Sequence, residues 1–64
     1  MKNYEIIGTY MGCIIRQPYG KFWLYLSNVY KGKYKWVTDH SSAKHFSLKT
    51  AQKHIEILNN KGEN

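Results

Sequence analysis

Between residues 48 and 58 the apolar side chains of Leu48, Ala51, Ile55 and Leu58 recur at steps of three and four, which places them on one side of a helix. The opposite side carries Lys49, Gln52, Lys53 and Glu56. Ser47 stands just before this series as its N-cap, because a serine hydroxyl accepts from a backbone N–H two or three residues on. Phe46 precedes the cap and can staple the entry by packing toward Ala51. The pattern dissolves after Asn59 and predicts a helix over 48–59 with a frayed tail over 60–64.

Upstream the periodicity changes. Tyr, Trp, Phe, Ile and Val are dense from Tyr4 to Thr38, with Gly and Pro between them at short intervals, which is the pattern of strands joined by turns. Pro18 to Gly20 predicts one turn. Residues 22–29 and 33–38 predict a hairpin around Lys31 and Gly32, with Gly32 supplying the positive φ of a tight turn. The segment from Tyr4 to Arg16 is one bent strand or two, with Gly8 and Gly12 as bulge or turn positions. The fold class that follows is α+β: a three- or four-stranded antiparallel sheet, then one C-terminal helix packed on one face.

The chain has 64 residues, which suffices for a single small domain, and 42% of them are hydrophobic, which argues against disorder. A domain this small commonly relies on disulfides or a structural metal, yet Cys13 is the sole cysteine. That points to a reducing compartment. The segment from Met1 to Thr9 carries Lys2 and Glu5 around a two-residue aliphatic run, unlike a signal peptide, and no stretch approaches the roughly 20 apolar residues of a membrane span. The expectation is a cytoplasmic protein with no membrane partner, in the host cytoplasm if the chain is phage-encoded.

Ten Lys and Arg against four Asp and Glu give a net charge of +6. Such an excess favours a polyanion or an acidic protein surface as partner, and it also serves plain solubility. Pairing through a Lys31–Gly32 loop sets Val29 opposite Tyr34 and Ser27 opposite Trp36. That register puts Trp23, Tyr25, Tyr34 and Trp36 on one side and Phe22, Leu24, Leu26 and Val37 on the other, under the helix. Two readings of the four rings stand side by side. They stack nucleic-acid bases, with Arg16, Lys21, Lys31, Lys33 and Lys35 on the phosphates. Or the N-terminal strand or the 39–45 segment folds over them and makes them core.

Lys31, Lys33 and Lys35 concentrate charge at a hairpin tip, either to meet phosphates or to keep an edge strand from aggregating. His40, His45 and His54 lack the spacing of a zinc site, and no metal or other cofactor is predicted. No paired carboxylates, activated nucleophile or phosphate-binding glycine loop is visible, so the expectation is a protein that is not an enzyme.

The order Gly-Cys-Ile-Ile-Arg at 12–16, Tyr-Gly-Lys-Phe-Trp-Leu-Tyr-Leu at 19–26, Tyr-Lys-Trp-Val at 34–37 and Ala-Lys-His-Phe-Ser-Leu-Lys-Thr-Ala at 43–51 resembles a known pattern. It is similar to the arm-type DNA-binding domain of phage and transposon tyrosine recombinases, in which three strands precede a helix entered through a phenylalanine and a capping Ser or Thr. Phe46, Ser47 and Ala51 carry that match, and an additional N-terminal strand departs from it. The resemblance implies a free-standing relative whose sheet enters the major groove with Lys21, Trp23, Tyr25, Lys33, Lys35 and Trp36. The same strand-then-helix layout occurs in short phage and prophage proteins of unknown role, and small phage-type proteins often block a host enzyme, so the alternative is an inhibitor of a host enzyme or defence complex; a homodimer through the aromatic side fits the same residues.

Overall fold

The computed structural model describes residues 3–61; Met1, Lys2 and the tail at 62–64 lie outside the described residues. Four strands, β1 (Glu5–Thr9), β2 (Gly12–Tyr19), β3 (Phe22–Tyr30) and β4 (Lys33–Val37), form one antiparallel meander in the order β1-β2-β3-β4. A single 3-10 turn at His40–Ser42 leads to the helix α1 (Leu48–Lys61). This is the α+β architecture expected from the sequence. The predicted hairpin is present, and the 4–16 segment resolves into two strands with Tyr10 and Met11 at the turn.

Turn chemistry follows the residues at each bend. Lys31 and Gly32 have φ of 50° and 77°, the paired positive angles of a type I′ hairpin turn. At the β2–β3 bend only Gly20 is positive, with φ 61°, and Lys21 completes a turn of type II′ pattern. The turn is therefore Gly20–Lys21, not Pro18–Gly20. Pro18 sits inside β2, paired with Trp23. Its missing N–H is tolerated because β1 ends opposite Arg16, so β2 has an open flank at Pro18.

The register of β3 with β4 shifts between Leu26 and Asn28. Val29 still faces Tyr34 and Tyr30 faces Lys33, but beyond the bulge Leu26 faces Trp36 and Tyr25 faces Val37. One extra residue, Ser27, reverses which side every later residue of β3 takes. Tyr34 and Trp36 thus share a side with Leu26, and Val37 shares one with Tyr25. The expectation of four rings on one side fails for this reason.

β2 and β3 pair only from Arg16–Tyr25 to Tyr19–Phe22, and beyond that they part. The segment after the 3-10 turn fills the gap. Lys44 N–H donates to the Leu26 carbonyl at 2.9 Å, and Cys13 and Phe46 exchange two backbone bonds of 2.7 Å each. His40 meets the Tyr25 ring on one side of the sheet, while Phe46 joins the helix on the other. The chain crosses the sheet at the place where the two strands diverge.

Gly12 makes this crossing possible. Its φ is 126°, and a β-carbon there would stand 2.9 Å from the Phe46 carbonyl oxygen. Backbone approach this close leaves no room for a side chain.

The core lies between the sheet and α1, built on Ile15, Leu26, Phe46 and Ala51, with Ile6, Cys13, Val29, Tyr34, Trp36 and Ile55 packed against it. Ile14, on the other side of β2, is also buried, and so is Ala43 of the crossing segment. The Ser47 hydroxyl caps α1 by accepting from Thr50 N–H at 3.2 Å, and Phe46 and Ala51 share the core as the staple predicts. Two details of the helix differ from expectation. It continues through Asn60 to Lys61, and Leu48 is exposed while Phe46, two residues before it, is buried in the core. No helix of the described residues is long and apolar enough to cross a membrane.

Candidate nucleic-acid interface

Register and burial divide the predicted site residues among three places. Trp23, Tyr25, Arg16, Lys33 and Lys35 lie on the side of the sheet away from α1. Tyr34 and Trp36 lie under the helix side, half-buried against the core. Trp36 stacks on Tyr4 with ring centroids 5.8 Å apart and planes 24° apart. The Tyr34 hydroxyl is 3.1 Å from His54 Nδ1, and burial pushes its phenol pKa up, so the group keeps its proton.

Lys21 and Lys31 sit in the turns at opposite ends of β3, separated by the length of nine residues. At the rise of an antiparallel strand that is roughly 30 Å. Lys21 therefore does not join the cluster at the β3–β4 turn.

The rings of the helix-free side already have partners. The Arg16 guanidinium lies 3.7 Å over Trp23 and is bonded to Glu5 at 3.1 Å through Nη2. Glu5 offsets its charge, so Arg16 serves mainly as a clamp across β1, β2 and β3; exposed pairs of this kind contribute about 0–1 kcal/mol. His40 meets the Tyr25 ring edge-on at 5.1 Å and 86°. The 39–45 segment thus covers part of this side, as one of the two sequence readings supposed.

His40 is held by the turn that Asp39 organises. The Asp39 carboxylate accepts from the Ser41 hydroxyl at 2.9 Å, Ser41 N–H at 3.1 Å and the Ser42 hydroxyl at 3.2 Å. The Ser41 hydroxyl, then its N–H, then Ser42 hold the Asp39 pKa below its ordinary value. A group lowered in the folded state adds stability above its unfolded pKa, near 3.9, and that contribution is lost as pH falls through the folded value. An NMR titration should place the Asp39 midpoint below 3.9, and Ser41→Ala should move it upward. A midpoint unmoved by Ser41→Ala would remove the hydroxyl from this role.

What remains open lies on the outer half of the β3–β4 hairpin. Asn28 faces Lys35 and Tyr30 faces Lys33, all four on the helix-free side and all exposed. Lys31 follows at the tip, its ammonium 5.4 Å from the Tyr30 ring centroid. Neither β3 nor β4 contains a carboxylate, so these charges are not offset within the hairpin. Sequence reasoning missed Asn28 and Tyr30. Asparagine is disfavoured within strands, and that oddity in the sequence marks the position.

The three histidines are apart, with His40 against Tyr25 and His54 against Tyr34 and Phe46. Among the described residues no three metal-ligating side chains gather. No family model, curated protein or solved structure matches the chain.

Proposed function

We propose that the chain is a small, non-enzymatic DNA-binding accessory protein of phage or mobile-element type, which lays the helix-free side of its β3–β4 hairpin on the duplex. The observation that carries this reading is the collection of Tyr30, Lys31, Lys33 and Lys35, exposed on one hairpin with no carboxylate on either strand. A two-stranded ribbon fits the major groove, where lysines of its edges reach phosphates on the groove walls. The resemblance to arm-type domains supports the same placement. The proposed residues differ from the set that the resemblance implies: Lys33 and Lys35 are kept, Tyr30 and Lys31 are added, and Lys21, Trp23, Tyr25 and Trp36 are left out.

Fluorescence anisotropy of a labelled duplex at two salt concentrations tests the reading. Lys33→Ala with Lys35→Ala should weaken binding to all sequences alike and reduce the salt slope by about 2, since each neutralised phosphate contributes about 0.9. No binding at low salt would reject it.

A second reading, an inhibitor that binds an acidic host protein, is favoured by a different surface. Tyr19 and Phe22 pair across the β2–β3 hairpin and are 65% and 67% exposed. Paired exposed rings form an apolar contact patch of the kind protein partners use.

A further inference from the structure

We infer that Asn28 is the base-reading residue of the proposed DNA interface and that it selects adenine; this rests on the DNA-binding reading above. The bulge at Ser27 carries the argument. Without it, Asn28 would share the side of Leu24 and Leu26 and point beneath the helix. With it, Asn28 is exposed beside Lys35, one step from the Tyr30–Lys33 pair, at the inner end of the uncompensated lysines. The Ser27 hydroxyl donates to the Lys35 carbonyl at 3.2 Å and pins the bulge in place. Bulges commonly re-aim a side chain in this manner.

The Asn28 amide has no hydrogen-bond partner among the described residues. The amide is open on the exposed side of the hairpin. Its planar amide offers one acceptor and two donors, which match the N6 amino group and N7 of adenine in the major groove. Lysines that contact phosphates carry no sequence information, so selection falls to the uncharged amide beside Lys35.

Enrichment of random duplexes by the wild-type protein should yield an adenine-containing preference. Replacing that adenine with 7-deazaadenine, which lacks the N7 acceptor, should weaken wild-type binding on the order of tenfold. Asn28→Ala should lower affinity for the selected duplex, keep salt-dependent binding to the pool, and be indifferent to the deaza substitution. Circular dichroism checks that the variant folds. Binding without any base preference, or a preference that survives Asn28→Ala, would overturn the assignment of Asn28 while leaving the DNA-binding reading intact. Absence of binding to every duplex would overturn both.

Discussion

Alanine at position 12 should destabilise the protein by about 3 kcal/mol, through backbone strain and a collision with a main-chain atom. The strain arises because Gly12 holds φ at 126°, an angle that L-residues rarely adopt. The collision arises because the new methyl group would be 2.9 Å from the Phe46 carbonyl oxygen, which is fixed by its bond to Cys13 N–H. A domain of this size has only about 3–10 kcal/mol of stability, so the loss removes roughly a third of it or more. Gly8→Ala supplies the contrast. Its φ is not positive and nothing lies within 4 Å of its would-be β-carbon, so a change within about 0.5 kcal/mol is expected. Urea titration of both variants measures the pair, and equal midpoints would refute the account of the crossing given above.

Phe46→Ala should cost about 3–5 kcal/mol, as for other buried aromatic truncations. The ring is 9% exposed, sits with Ile15, Leu26 and Ala51, and meets His54 edge-on at 5.1 Å. Its removal empties the space that joins the split sheet to the first turn of α1. The backbone bonds to Cys13 remain available to alanine, so the loss reports the ring alone. Phe46→Leu, which keeps most of the volume, should lose less than about 1.5 kcal/mol. A variant with alanine as stable as the one with leucine would mean that the ring does not fill the core.

The elements of this fold were legible because each is locally specified. The helix follows from its spacing and its serine cap, and the β3–β4 turn from Lys31–Gly32. The face assignment of β4 was not read correctly, because the phase change it depends on is signalled only by two adjacent polar residues, Ser27 and Asn28, between Leu26 and Val29. Taken as a continued strand, they put Trp36 on the open side, whereas the bulge puts it on the helix side. The crossing at 43–46 was equally hidden. It depends on where β2 and β3 part and on the pairing of Cys13 with Phe46, residues more than thirty positions apart. Part of the site survived this. Lys31, Lys33 and Lys35 remain together because they follow a turn that was correctly placed, whereas Lys21 belongs to another turn altogether.

The passage of the chain through the parted strands ties the two layers of the molecule into one cooperative unit. To release α1, the 43–46 segment must withdraw from Cys13 and Leu26, and that withdrawal exposes the inner edges of β2 and β3 together. To loosen β2, the same segment must give way first. Both layers share the three backbone bonds of this segment, so separating α1 from the sheet and opening the gap between β2 and β3 break the same contacts, in a molecule whose single cysteine offers no internal disulfide to hold them.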